Sequence, residues 1–392
     1  MILQFLYLAI LALFAAFFLA RTIYRLHFHP LSRFPGPKLT AATGLVEIYH
    51  DVVRGGKFLW EMEKMHETYG PIVRITPHEI HIKDSSYYDS IYTNSKKLNK
   101  DPNFVGLFGS PQSMIATVDH AHHRFRRGIL ASFFSKRSIT ALTRRSAAFA
   151  AFAALTTDII THYSYGESFG FLDSESFRSE VRVAIMETEE LDHITRLFPF
   201  VLTVMRPCYG GGCDDTELGA GVMDGGVTLA QLEQLPYLTG VVNEAQRLSH
   251  GLVIRSPRVS PTEALMYKNY SIPPGNPLAM SSYFVHMDPT LFPDPTVFNP
   301  DRWIEATKRG DNLTRFITAF SKGTRQCVGI NLGYAKLYLT LAYFAIFFDY
   351  ELHETTEENI TVARDRGVPF LEKGHLMVKA KVVKVLRNPY AA

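Results

Sequence analysis

The ten residues Phe320-Ser321-Lys322-Gly323-Thr324-Arg325-Gln326-Cys327-Val328-Gly329 carry the sharpest chemical signal in the chain. A lone cysteine stands at the head of an apolar run that reads as a helix from about Val328 to Phe348. Unpaired amide donors at a helix start stabilise negative charge on sulfur, which sets Cys327 up as an anionic metal ligand or nucleophile. Taken by itself, a buried structural cysteine is the commoner reading. Gly323 and Gly329 flank the cysteine and Arg325 lies two residues upstream, a set that lets a large flat ligand approach the backbone and pair with its anionic groups.

A second pattern, Glu244-Ala245-Gln246-Arg247, puts an acid and a base three apart on one face of a predicted helix. On a surface such a pair is worth a few tenths of a kcal/mol. The apolar flanks Leu235-Pro236-Tyr237-Leu238 and Leu252-Val253-Ile254 favour a buried pair instead, where losing one partner costs roughly 3–5 kcal/mol. Both residues are therefore assigned to architecture.

The pattern Phe-x-x-Gly-x-Arg-x-Cys-x-Gly at 320–329 resembles that of the cytochrome P-450 haem-thiolate monooxygenases. The resemblance implies haem as cofactor, with Cys327 as the axial ligand of iron, Arg325 on a haem propionate, and Phe320, Gly323 and Gly329 shaping the cofactor loop. A thiolate ligand pushes electron density onto iron and favours O–O cleavage. Arg302, in Phe298-Asn299-Pro300-Asp301-Arg302-Trp303, matches the third member of the family's structural Glu-Arg-Arg cluster with Glu244 and Arg247. Arg258 stands where the family places another propionate-binding arginine. His123 and Arg127, four apart and so on one helical face, resemble a pair that contacts haem carboxylates in related proteins. They belong to the dense run His120, His122, His123, Arg124, Arg126 and Arg127, which also reads as a solvated face or a dock for an electron-donating reductase.

The resemblance covers most of residues 28 to 200 and nearly all of 228 to 385. It lapses between about Pro199 and Thr228, where the family has a long helix over the distal haem face with an Ala/Gly-Gly-x-x-Thr element. Ala220-Gly221-Val222-Met223-Asp224 matches only its first two residues, and no catalytic proton-delivering residue is assigned. Residues 206 to 226 are glycine-rich without sustained period and read as a loop. Cys208 and Cys213 within it lack the further ligands of a metal clip and read as incidental. Two interpretations stay open: an active monooxygenase, or a haem-binding or membrane-tethered remnant of that lineage without turnover.

The elements that must position these groups read as mainly α with a small β-sheet, an incomplete P-450-like fold behind an N-terminal transmembrane helix. Leu59 to Tyr69 has helical apolar spacing, stopped by Gly70-Pro71 ahead of short strands at 72–75 and 80–82. Ala121 to Phe134 and Ile139 to Ile160 read as helices. Thr228 and Gln231 have capping-box spacing, Pro236 opens a helix running to about Leu248, and strands are expected at 376–378 and 382–385. Phe104, Val105, Leu107, Met114, Leu252, Val253 and Ile254 are candidates for the substrate pocket, with core packing an equally weighted alternative.

Residues 1–20 hold one strongly polar side chain, Gln4, and as a helix span about 30 Å, enough to cross a bilayer core. Arg21, Arg25 and Lys38 follow while nothing basic precedes, which leaves the downstream chain in the cytosol. Residues 21–40, with prolines at 30, 35 and 37, are expected to form a stiff extended hinge, and 41–392 the haem-binding domain, disrupted about 200–227. The anchor and hinge are similar to those of the fungal microsomal branch, which implies the endoplasmic reticulum membrane, single-pass, as location. The reaction implied is insertion of one oxygen atom into an apolar small molecule in secondary metabolism, with electrons from an NADPH-dependent reductase. Among 392 residues, 41 basic against 38 acidic side chains and 46% apolar content exclude a disordered chain and argue against nucleic acid as partner; three scattered cysteines suit a reducing compartment.

Overall fold

The computed structural model describes residues 2–105, 113–143, 228–356, 360–365, 367, 369–371 and 379–386. The expected loop 206–226 with Cys208, Cys213 and Ala220–Asp224 lies outside the described residues, as do Leu107, residues 144–160 and the strand at 376–378.

Helix α1, Ile2–Ile23, is followed by a wide π-helical turn, Tyr24–Phe28. Within Leu3–Phe28 an 18-residue stretch has a mean hydropathy of 2.4 with none of it buried, so this is a helix long and apolar enough to cross a membrane. The helix thus passes the border expected at residue 20. It ends at His29, which Pro30 forces out of the helical region to ψ 144°. The hinge expected over 21–40 is accordingly not an extended rod: residues 29–34 form turns, closed by Ser32 N–H to His29 O at 2.8 Å, and a helix resumes at Lys38. Leu31 is wholly buried against the sheet, which ties the segment to the body.

Helix α2, Phe58–Tyr69, starts one residue before the predicted position, and Gly70 closes it with φ 92°. Its apolar face packs with Val73, Ile75, Val253 and Phe284. Val253, a pocket candidate from the sequence, is a core residue with no exposed surface, because it packs in one cluster with Phe58 and Phe284. Strands β1 (Ile72–Arg74), β2 (Ile80–Ile82), β3 (Asn99–Lys100) and β4 (Arg258–Val259) belong to a five-stranded mixed sheet. The hairpin β5 (Leu265–Tyr267) and β6 (Tyr270–Ile272) stands beside it, and β7 (Pro277–Ala279) completes the order β1-β2-β7-β4-β3. Only β2 and β7 run parallel; the other pairs are antiparallel.

Helix α3, His120–Ala131, is capped by Asp119, whose carboxylate accepts from the amide of His122 at 2.7 Å. Helix α4 covers Lys136–Thr143. A short helix, Leu229–Leu232, carries the expected capping box of Thr228 and Gln231, and α5, Pro236–Ser249, begins on its proline. Helix α6 is Asp301–Arg309 and α7 is Ile330–Phe347. Ile139 of α4, Leu229 and Leu232 of the short helix, Val242 and Ala245 of α5, and Ala335 and Leu341 of α7 form one buried cluster. The chain closes with Phe348–His353 paired to Lys379–Val385, including the predicted strand at 382–385.

Candidate functional site

Cys327 lies in the turn that leads into α7 and its thiol is exposed. Its amide donates to the carbonyl oxygen of Phe320 at 2.9 Å, closing the loop on itself. The Phe320 ring lies tilted against Tyr334 with ring centres 5.5 Å apart and presses on Gly333, where a Cβ would come within 2.8 Å of it. Gly333, on α7, is thus a third glycine packed against this loop and lies outside the decapeptide. Gly329 keeps the backbone bare beside the sulfur: a Cβ there would stand 3.9 Å from Sγ. Gly323 has a different duty. At φ 70° it turns the chain and lies so close to Thr93 that a Cβ would fall 2.6 Å from that residue's backbone atoms.

The loop is held from every side. Arg325 reaches out of it, and its guanidinium donates to the carbonyls of Thr117 and Val118 at 2.7 and 2.8 Å. From α3, the Arg127 guanidinium donates to the carbonyl of Gln326, next to the sulfur. Burial lowers Arg127 from its ordinary value and the Cys327 sulfur acts in the opposite direction. His123, one helical turn before Arg127, is buried and neutral, pushed down to about 3 by burial and then by Arg325, Lys100, Arg127 and His120.

Arg258 is buried on β4. Its guanidinium donates to Ser256 O and Oγ at 3.1 and 3.0 Å and lies 5.0 Å from the centre of the Tyr92 ring. Directly across the ladder from it stands Lys100 of β3. Lys100, which the sequence analysis did not single out, is buried and brought down to about 7 by burial, by Arg258 and by Arg325; it donates to the carbonyl of Ile115. Like charges opposite one another on a ladder are destabilising. Arg325 in turn is brought down to about 10, by burial and then by Arg258.

Five basic side chains, Lys100, His123, Arg127, Arg258 and Arg325, therefore act on one another, and Arg127 joins the group to the exposed sulfur. Asp119 is the acid that acts on Arg325 in the favourable direction. Two buried nitrogens of this cluster, Arg325 Nε and His120 Nε2, have no hydrogen-bond partner among the described residues. This is the donor set of a site for a ligand with several negative oxygens and a soft metal centre beside them. The haem implied by the sequence fits it: the thiol is soft, the cations match two carboxylates, and Gly329 leaves space at the sulfur.

Glu244, Arg247 and Arg302 come together in one buried cluster. The Glu244 carboxylate is fully buried and accepts five hydrogen bonds: from Arg247 Nε and Nη2 at 3.0 and 2.7 Å, Arg302 Nε at 3.0 Å, the Asn299 amide at 3.0 Å and the Trp303 indole at 3.0 Å. Arg247 and Arg302 spend their remaining donors on carbonyls of His286, Pro295, Val297 and Pro293. Gly240 lets α5 lie against Pro300, whose carbonyl oxygen would be 2.7 Å from a Cβ there. Among the described residues, no hydrogen bond or ion pair links the cluster directly to Cys327.

The family model described as Cytochrome P450 matches residues 217–377. Conidiogenone synthase PchP450 of Penicillium rubens is 37% identical, across 95% of this chain and 98% of its own length. Cytochrome P450 monooxygenase aflU of Aspergillus parasiticus is also 37% identical, across 92% of this chain and 95% of its own, and cytochrome P450 monooxygenase TRI4 of Trichoderma arundinaceum is 36% identical across 93% of each. The first of these alignments has 483 positions, whereas 95% of 392 residues is about 372, so about 111 positions of the relative have no counterpart in this chain. A solved structure, retinoic acid bound cyanobacterial CYP120A1, superposes with a TM-score of 0.53 at 17% identity, over 82% of this chain and 94% of that one.

Proposed function

This chain belongs to the cytochrome P450 family, a family of haem-thiolate monooxygenases, and from that premise we propose that Cys327 is the axial ligand of its haem iron. Arg325, Arg258, His123 and Arg127 hold the haem carboxylates in this reading, and Phe320, Gly323 and Gly329 keep the loop in shape. The observation that supports it best is the crowding of basic side chains, Lys100 and Arg258 buried and Arg127 and Arg325 half-buried, with Arg127 linking them to an exposed sulfur. The reaction proposed is insertion of one oxygen atom into an apolar small molecule of secondary metabolism, with electrons from NADPH through a separate reductase.

Haem, when bound, supplies the electron-transfer and oxygen chemistry. The chain's own residues do the rest. The start of α7 presents amide dipoles that favour negative sulfur, and Arg127 fixes the Gln326 carbonyl beside it. The basic side chains would hold the haem carboxylates. Helix α1 anchors the enzyme in the endoplasmic reticulum membrane as a single pass, Arg21, Arg25 and Lys38 hold the body on the cytosolic side, and residues 41–392 form the haem-binding domain.

A second reading, a haem-binding protein without turnover, is favoured by the roughly 111 positions that the Penicillium rubens relative has and this chain lacks. Steady NADPH consumption with reductase and candidate apolar substrates separates the two: haem-loaded protein that consumes none belongs to the second. The ligand assignment has its own test. In the full chain, Cys327→Ser is expected to abolish the thiolate-type red-shifted absorbance of the ferrous carbon-monoxide complex while far-ultraviolet circular dichroism is kept. An unchanged spectrum overturns the assignment.

A further inference from the structure

The loop that carries Cys327 is entered through Thr318, and one buried histidine holds that entry. The ring Nε2 of His286 accepts from the Thr318 amide at 2.9 Å and lies 3.2 Å from its hydroxyl. His286 has no exposed surface and Thr318 is 1% exposed, so water cannot replace either bond. Because the amide can only donate, Nε2 is an acceptor and the ring is neutral with its proton on Nδ1. Gly251, at φ 63°, packs so close to the same segment that a Cβ would stand 2.1 Å from the Ala319 carbonyl oxygen. The Thr318 carbonyl accepts from Ser282 Oγ at 3.0 Å. Two residues on, the Phe320 carbonyl takes the Cys327 amide at 2.9 Å.

His286 also has a second attachment. Its own backbone carbonyl accepts from Arg247 Nη1 at 3.0 Å, so the same residue touches the buried Glu244 cluster and the Cys327 loop.

We propose that His286 is a positioning residue for Cys327: it transmits the rigidity of the Glu244–Arg247–Arg302 cluster through Thr318 and Phe320 to the sulfur, and so keeps the cysteine where it binds iron as thiolate. The proposal rests on Cys327 being the haem ligand. His286 touches neither sulfur nor cofactor; its effect passes through backbone hydrogen bonds. A ring that only filled space would be replaceable by phenylalanine, whereas an acceptor is replaceable by glutamine, whose side-chain oxygen reaches the same distance as Nε2.

The test uses the full-length chain in detergent, as purified and after haem loading, as wild type, His286→Phe and His286→Gln. The first readout is amide hydrogen exchange over residues 318–327. The second is the share of the ferrous carbon-monoxide complex showing the thiolate-type band. His286→Phe is expected to speed exchange of the Thr318 and Cys327 amides about tenfold and to shrink the thiolate share, and His286→Gln to restore both. Folded His286→Phe with exchange and spectrum unchanged overturns the proposal, as does acceleration spread evenly over the chain. If the phenylalanine variant does not fold, the wild type decides: a Thr318 amide exchanging as fast as those of the surface turn 313–316 overturns it, and one exchanging at the rate of the α5 core supports it. A wild type with slow Thr318 exchange and no thiolate band overturns the ligand reading instead, so the two failures are distinguishable.

Discussion

The indole nitrogen of Trp303 donates to Glu244 Oε2 at 3.0 Å, the fifth hydrogen bond on a carboxylate with no exposed surface. Two guanidiniums, one indole and one backbone amide thus converge on a single acid from α5, α6 and the segment between β7 and α6. Glu244→Gln leaves the shape but strands two buried cations. It is expected to cost about 3–5 kcal/mol in urea unfolding or to prevent accumulation of soluble protein. Trp303→Phe removes one donor of five and is expected to cost about 1–3 kcal/mol. Equal losses for the two variants contradict this ranking.

Lys100 and Arg258 face each other across β3 and β4, and their repulsion is relieved when an anion lies between them. Lys100→Met is therefore expected to act with opposite signs on the two states. Haem transfer to an excess of apomyoglobin speeds up about tenfold, while the thermal midpoint of the haem-free chain stays level or rises. A fall in both measures shows that the lysine serves the fold rather than the ligand.

His66 and His81 form a buried chain of fixed proton direction. Gly70 O can only accept, so His66 Nδ1 donates to it at 2.8 Å, and His66 Nε2 accepts from His81 Nδ1 at 2.8 Å. Burial brings His66 down to about 4, and His81 well below its ordinary value. Between pH 6.5 and about 4 the unfolded chain binds protons that the folded pair refuses, so stability falls as pH drops. Each ring contributes a slope of up to about 1.4 kcal/mol per pH unit. Glu79, raised to about 7 by burial, acts in the opposite sense over part of this range, so the comparison must be between variants. The stability of wild type relative to a His66→Leu/His81→Leu double variant is expected to decline from pH 6.5 to 4 and to be level above 7. A difference independent of pH rules out the pair as the origin.

Gly251→Ala puts a methyl group 2.1 Å from the Ala319 carbonyl oxygen at a positive φ, two penalties at one position. A loss of about 2–4 kcal/mol in denaturant unfolding is expected, together with a smaller thiolate share after haem loading. Gly275→Ala, also at positive φ but with no atom within 4 Å, is expected to cost about 1 kcal/mol and leave the spectrum alone.

Local signals carried much of this molecule. Thr228 with Gln231, Pro236 and Gly70 set helix ends through bonds made within a few residues, and Cys327 with its glycines was visible as one short motif. Glu244 and Arg247 were legible because three residues is one helical step. Lys100 was not, since only the β3–β4 register brings it to Arg258 from 158 positions away in the chain. His286 escaped for the same reason: its partner is 32 residues on and the bond is to backbone, which leaves no residue-type signature. Val253 was ambiguous between pocket and core because an apolar residue after a helix suits both, and the packing with Phe58 and Phe284 decided it.

Arg74 of β1 donates to the carbonyl of Arg25 at 2.8 Å and to that of Pro77 at 2.5 Å, while Arg25 donates to Ala42 at 2.8 Å. The apolar rod is thereby bolted to the sheet by guanidinium contacts on both sides of the joint. With the proposed anchor seated in a bilayer, tilt of the rod turns the whole body with it, so bilayer thickness, which governs rod tilt, becomes a handle on which face of the protein looks along the lipid surface.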